Sequence, residues 1–276
     1  MSILIDADTR VLVQGATGAQ ARFDIRYCLE YGTRIVAGVT PGRGGESVEG
    51  VPVFNTVAAA VAATGANASA VYVPARGVRD AVMEAVEGGI GVLACFAENV
   101  PRHDAAAAAA AARASGAFMA GFNTNGLISP GRIGVCSRSG GMSAEISWTL
   151  ARAGLGASSC ISMGGDPIVG MRMVEVLELF EADPETDACV IFGEPGGTHE
   201  IEVAEALRTG ELRKPLVALI AGQFQENYPA GVSFGHFAAV IKGENDSASA
   251  KHPALGAAGA RVAASLEEIP ALLRLA

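Results

Sequence analysis

Short apolar runs bounded by glycine or proline alternate with stretches of helical period along the entire chain, and this alternation restricts the fold more than any other feature. A run, a helical stretch and a second run read as β–α–β, because parallel strands need a crossover helix packed on the sheet face. Strands are expected at RVLVQG, RIVAGVT, ASAVYVPA, GVLACF and AFMAGF, with helices between them such as RFDIRYCLEYG and VRDAVMEAVEGG. Residues 104 to 115 are mostly alanine, the best helix former, so they read as a plain surface helix with Asp104 as its N-cap. The first half is therefore a doubly wound α/β domain.

Turn formers cluster in NTNGLISPGR, residues 123 to 132, and the pattern then restarts. The spacing divides the chain into domains 1–125 and 126–276. In the second, IGVCS, GASSCISMGG, ACVIFGE, PLVALIAG and HFAAVIKG read as strands, with MSAEISWTLARAG and VEVLELFEAD among the helices. A length of 276 residues suits two domains of roughly 150 residues each.

The apolar stretches are interrupted well short of the ~20 residues a spanning helix needs, so no membrane crossing is expected. The opening MSILIDADTR has charges where a secretory signal has an apolar core, which points to the cytoplasm. Five scattered cysteines with no CxxC fit neither a disulfide framework nor a metal cluster, and read as small buried hydrophobes. A net charge of −9 and the lack of a basic run argue against a nucleic-acid partner.

Two glycine loops carry the first chemical signals. VLVQGATGAQARF runs strand, then Gly15 to Gly18, then helix, so N–H groups at the helix start face a possible phosphate. The spacing is GxxG rather than GxGxxG, and the second strand leads into GVTPGRGG, with Arg43 where an NAD site would place an acid. A cation between Gly42 and Gly44 suits a ligand with an extra ribose phosphate, coenzyme A or NADP; the competing reading is a solvated loop charge. In the second half, Ser137, Arg138, Ser139, Gly140 and Gly141 stand between strand and helix, forming an anion site or an ordinary Ser/Gly cap. No Walker lysine occurs, so any phosphoryl group arrives by another route.

Of four histidines, His103 and His252 read as surface residues and His199 as a helix cap. His236 stands where HFAAVIKG begins and could be nucleophile, base or filler. Glu194 ends ACVIFGE, so two parallel strands could present a carboxylate and an imidazole at one sheet edge. A carboxylate on one ring nitrogen fixes the tautomer and leaves the other free to attack phosphorus.

VTPGRGG, VPVFNTV, AATGANAS, YVPA, SRSG, GGDPI, FGEPGG and GHFAAVI, in this order, resemble the α subunits of succinyl-CoA synthetases over nearly the whole chain. The resemblance implies a Rossmann-like CoA-binding domain followed by a flavodoxin-like domain that carries a transiently phosphorylated histidine. It makes His236 the phosphoryl carrier and Glu194 its orienting carboxylate. It places Gly15, Thr17, Gly18, Arg43, Tyr72, Pro74 and Glu98 in the CoA site, and Ser137, Arg138, Ser139 and Gly140 at the helix start that holds phosphate. ATP or GTP, with Mg2+, would sit in an ATP-grasp β partner. The implied reaction passes phosphoryl from nucleotide to His236 and on to a carboxylic acid, whose acyl phosphate the CoA thiol attacks.

The sequence departs from the family around the histidine. AGQFQENYPAGVSFGH lacks the family's short basic run, Phe237 replaces a small residue, and the interdomain link is short, with Thr124–Asn125 in place of Cys-Pro. These departures surround the acid substrate, so a carboxylate other than succinate is expected. A non-catalytic CoA-binding regulatory subunit and an NADP-binding reductase are the rival readings.

Overall fold

The computed structural model describes residues 3–124, 127–128, 131–236 and 238–274. They form two compact units: Leu4–Asn123 with Ile168–Gly170, and Thr124–Pro167 with Ile3 and the chain from Met171 onward. Asn125 and Gly126, where the sequence places the domain boundary, lie outside the described residues, as does Phe237.

The first unit runs β1 (Val11–Gln14), α1 (Ala19–Tyr31), β2 (Ile35–Val39), β3 (Ser47–Val48), β4 (Val51–Phe54), α2 (Val57–Thr64), β5 (Ala68–Val71), α3 (Val78–Glu87), β6 (Val92–Cys95), α4 (Arg102–Ser115) and β7 (Phe118–Ala120). Its seven strands lie in the order β3-β4-β2-β1-β5-β6-β7, parallel except for β3. The chain winds outward from β1 through β2 to β4 and then returns to β5, so the order reverses between β1 and β5. This is the Rossmann-like arrangement, with its crevice at the carboxyl ends of those strands. Leu12, Val71 and Leu93 are fully buried in the core, each contributing roughly 1.5–3 kcal/mol of transfer energy. Gln14 is buried there too; its amide donates to the Ala81 carbonyl at 2.9 Å and accepts from Ser69 Oγ at 2.9 Å. The β3–β4 hairpin, absent from the sequence reading, turns at Glu49 and Gly50, both at positive φ (50° and 83°), as a two-residue hairpin loop requires.

The second unit runs β8 (Leu127–Ile128), β9 (Ile133–Ser137), α5 (Gly140–Arg152), β10 (Ala157–Ser162), α6 (Met173–Ala182), β11 (Ala188–Gly193), α7 (His199–Thr209), β12 (Leu216–Ile220), α8 (Ala248–Ala257), β13 (Arg261–Ala263) and α9 (Ile269–Arg274). The sheet order is β13-β12-β11-β9-β10-β8, with β8 antiparallel to β10. Read from β10 to β13 this is the flavodoxin-like order, and the chain reverses direction across the sheet between β9 and β11. Strands β9 to β12 are buried at every position, as expected of parallel strands covered on both faces.

Four expectations are corrected. The described residues of HFAAVIKG, His236 and 238–243, form no strand: between β12 and His236 only a 3-10 helical turn, Gln223–Asn227, intervenes, so no crossover helix returns the chain to the sheet. The segment instead bonds locally, Ala239 N–H to the His236 carbonyl at 3.0 Å, and the edge strand is β13, reached through α8. His252 is not on a loop; it is a half-buried residue of α8 whose Nε2 lies 3.1 Å from the Ile220 carbonyl. Asp104 is not an N-cap, since α4 begins at Arg102 behind Pro101 and Asp104 lies in the first turn, where the helix dipole favours an acid. That helix also buries Ala105, Ala108, Ala109 and Ala112 as one apolar face. His199 opens α7 as its first residue and Thr198 is the cap position.

Cys95, Cys136, Cys160 and Cys189 are buried, and burial pushes the Cys95 and Cys189 thiols up to about 12, which removes them as nucleophiles. Among the described residues no helix is long and apolar enough to cross a membrane, and no group of three or more His, Cys, Asp or Glu could hold a metal ion.

Candidate active site

In the first unit, the sequence-chosen residues fall on successive loops at the carboxyl edge of the sheet. Gly15 follows β1 at φ 79°, and a Cβ there would meet the Tyr72 carbonyl oxygen at 2.9 Å, so only glycine lets this loop pass β5. Gly18 is the N-cap of α1, with no side-chain cap and no acid in the first turn, leaving the N–H groups of the helix start for an anion. Thr17 Oγ1 reaches Thr40 Oγ1 at 3.4 Å, joining the β1 loop to the end of β2.

Arg43, on the loop after β2, is exposed and gripped by Glu46, with Nη2 donating to Oε2 at 2.7 Å and Nε to Oε1. The pair holds the Glu46 carboxyl below its ordinary value. Tyr72 and Pro74 follow β5. The Tyr72 ring stacks on Phe96, centroids 4.3 Å apart at 19°, and burial with Asp24 nearby drives its hydroxyl well above the ordinary range. Glu98, beyond β6, is exposed. Phe96 had no signal in the sequence reading beyond its place at the end of an apolar run.

In the second unit, the edge is built around the reversal between β9 and β11. Ser137 ends β9; its Oγ donates to the Ser139 carbonyl at 2.7 Å and accepts the Ser139 N–H at 3.0 Å, folding the chain into the start of α5. Ser139 Oγ caps that helix by accepting the Met142 N–H at 3.4 Å, and no acid occupies the first turn. Gly140 and Gly141 therefore present a helix N-terminus free of negative charge.

Arg138 turns inward and is buried, its Nη1 donating to the carbonyls of Glu194 at 3.1 Å and Gly196 at 2.8 Å. These bonds reinforce the loop after β11.

Glu194 follows β11, and its Oε2 lies 2.8 Å from His236 Nδ1. The carboxylate raises the His236 pKa above 6.5, chiefly through this hydrogen bond, while burial opposes it. His236 is held by loop packing, not by a strand: the Ala238 N–H donates to the Gly165 carbonyl at 3.2 Å, and a Cβ on Gly165 would lie 2.4 Å from the imidazole Cγ. Its side chain remains 28% exposed, so the ring is reachable from solvent. Among the described residues Nε2 meets no hydrogen-bond partner.

Three contributors escaped the sequence reading. Gly165, in SMGGDPI, is the floor under the imidazole. Glu200 and Lys251 are both fully buried, and Lys251 Nζ donates to Glu200 Oε2 at 2.5 Å. An acid in a first helical turn and a lysine in an alanine-rich helix both look solvated from sequence alone.

Residues 6–99 match the CoA binding domain family and residues 136–261 match the CoA-ligase family. A succinate–CoA ligase [ADP-forming] subunit alpha 1 of Archaeoglobus fulgidus is 43% identical over 98% of this chain and 96% of its own. The chain belongs to the CoA-ligase α-subunit family.

Other members differ in their named acid: an ADP-forming sulfoacetate–CoA ligase subunit of Bilophila wadsworthia is 38% identical over 99% of both chains. Among solved structures, ATP citrate lyase from Methanothrix soehngenii, in complex with citrate and coenzyme A, superposes with a TM-score of 0.90 at 27% identity. The match covers 99% of this chain and 50% of the lyase chain. Membership brings coenzyme A binding to the first unit.

Proposed function

We propose that the chain is the α subunit of a nucleotide-dependent acid–CoA ligase in which His236 carries the phosphoryl group. The observation that supports this most directly is the Glu194–His236 pair at the strand reversal of the second sheet. With Nδ1–H donated to the carboxylate, the lone pair of Nε2 in the neutral ring points away from the pair and is nucleophilic.

Attack of Nε2 on the terminal phosphorus of ATP or GTP forms a P–N bond and breaks a P–O bond, releasing the nucleoside diphosphate. A carboxylate oxygen of the acid then attacks that phosphorus, the P–N bond breaks, and an acyl phosphate leaves Nε2 with its lone pair restored. The acid-free start of α5, at Gly140 and Gly141, suits the charge moving between these groups. Coenzyme A, as the substrate thiol, supplies the sulfur that replaces phosphate on the acyl carbon. Gly15, Thr17, Gly18 and Arg43 would hold its phosphates, with Tyr72, Pro74 and Glu98 along the neighbouring strand ends. The glycine turn and the acid-free start of α1 fit such a ligand.

A β partner of ATP-grasp type would bind the nucleotide with Mg2+, consistent with the lack of a Walker lysine here, and the enzyme would work in the cytoplasm. The acid is a small carboxylate other than succinate. Relatives of similar identity act on different acids by name, and the chain before His236 holds Glu226 and no cation.

The test is mass spectrometry, under alkaline handling, of the chain purified with its partner and incubated with ATP or GTP. One phosphoryl group is expected on the peptide containing His236, discharged by CoA plus the cognate acid and absent from His236→Asn. A chain that binds CoA beside a nucleotide-loaded partner yet stays unmodified would instead be a non-catalytic CoA-binding subunit.

A further inference from the structure

The loop that carries Glu194 is rich in glycine. Glu194 and Pro195 are followed by Gly196 and Gly197, both in the left-handed region at φ 81° and 71°. Two consecutive glycines permit many conformations, and a carboxylate hung from such a loop would sample many positions. Yet it is found on the imidazole.

What holds the loop is a buried charge cluster. The Lys251 ammonium has three donors and uses all of them: the Glu194 carbonyl at 2.7 Å, the Gly196 carbonyl at 2.9 Å and Glu200 Oε2 at 2.5 Å. Arg138 Nη1 donates to the same two carbonyls and stands 3.6 Å from Glu200 Oε1. The other side of the Glu200 carboxylate accepts the Glu194 N–H at 3.2 Å. Gly193 makes the room for this, since a Cβ there would meet Glu200 Oε1 at 2.5 Å.

Burying two cations and one anion is costly, and an apolar cluster of the same volume commonly serves stability as well or better. What the charges supply is direction, because each carbonyl is fixed by two charge-assisted donors. The same loop also seats the segment after His236: a Cβ on Gly196 would lie 2.3 Å from the Ala238 carbonyl oxygen. Both members of the pair thus hang from the clamped backbone.

We propose that Lys251, supported by Glu200, is a positioning residue for the phosphoryl-carrying histidine, acting with Arg138 to lock the Glu194–Gly196 backbone so that the Glu194 carboxylate stays on His236 Nδ1. This rests on the reading of His236 given above.

The experiment compares Lys251→Met and Lys251→Gln in the full chain; glutamine keeps one donor for a carbonyl should the methionine variant fail to fold. Histidine ring resonances report the His236 titration, on which Glu194, Asp166 and Arg138 all bear. Phosphohistidine formation is timed in the complex with the partner. Loss of the clamp is expected to move the His236 midpoint down toward 6.5 and to slow phosphorylation on the order of ten- to a hundredfold, with KM for nucleotide unchanged. Variants that lose only thermal stability, with the His236 titration and phosphorylation rate of the wild type, would overturn the proposal. A wild-type chain that is never phosphorylated would overturn the ligase reading instead, and the titration would still decide the clamp.

Discussion

Glu194 Oε2 and His236 Nδ1 meet at 2.8 Å although the residues stand on different loops, one directly after β11 and the other far past β12. Because the hydrogen bond raises the imidazole pKa above 6.5, protonation favours the folded state. The sign follows: this stabilisation is fully present below pH 6.5 and is lost as pH rises through the higher folded value. Phosphoryl acceptance needs the neutral ring, so it runs the other way and grows as pH rises through that value. In Glu194→Gln the charge is gone and the acid limb of the pH–rate profile is expected to shift to lower pH. The plateau rate is expected to fall on the order of a hundredfold, as the tautomer and ring angle loosen. Stopped-time phosphohistidine assays from pH 5 to 9 check both, and an unmoved acid limb would remove Glu194 from its role.

Gly165 makes the second prediction. A methyl there would lie 2.4 Å from His236 Cγ and 2.7 Å from Nδ1, so the imidazole must leave its place. Gly165→Ala is expected to lower the phosphohistidine yield at least about tenfold while CoA affinity stays at the wild-type level, since the matched CoA binding domain lies in the other unit. Paired mass spectrometry and calorimetry on one preparation separate the two effects; equal losses in both would indicate general unfolding.

The alternation of apolar runs and helical stretches made both sheets legible, because a parallel strand buried on both faces must be apolar throughout, and β9 to β12 are. The glycine loops were legible for a related reason: a turn from strand into helix at a sheet edge demands Gly15 whatever the ligand. The His236 segment misled because HFAAVIKG has strand composition, and only tertiary context, the missing crossover before it, forbids pairing. Pro253 within α8 disguised the true crossover. The Arg138–Glu200–Lys251 cluster could not be read at all, since long charged side chains are normally solvated and only the folded loop of carbonyls gives these somewhere to go.

Gly15→Ala is predicted to act on the first unit alone. The φ of 79° costs a non-glycine residue roughly 1–2 kcal/mol, and the added Cβ meets the Tyr72 carbonyl at 2.9 Å. The expected result is a lowered melting temperature and weakened CoA binding, with His236 still accepting phosphoryl from the partner's nucleotide. Phosphorylation that fails together with CoA binding would contradict this separation of tasks.

Arg43 supplies the last test, because its guanidinium is already engaged by Glu46. A phosphate on the ribose of the ligand must take those donors from the Glu46 carboxylate, so Glu46 is a competitor as well as an anchor. Glu46→Gln removes the competing charge and is expected to tighten CoA binding by about two- to fivefold, a small effect because the pair is exposed and screened. Arg43→Ala should weaken it by a similar or larger factor. Neither variant should alter binding of dephospho-CoA, which lacks the ribose phosphate, and raising the salt should narrow the difference between the two ligands. Titration calorimetry with CoA, dephospho-CoA and NADPH reads all three arms. If Arg43→Ala binds CoA as the wild type does, Arg43 is a solvated loop charge and the ribose phosphate is recognised elsewhere; if NADPH binds and CoA does not, the glycine loop serves a reductase.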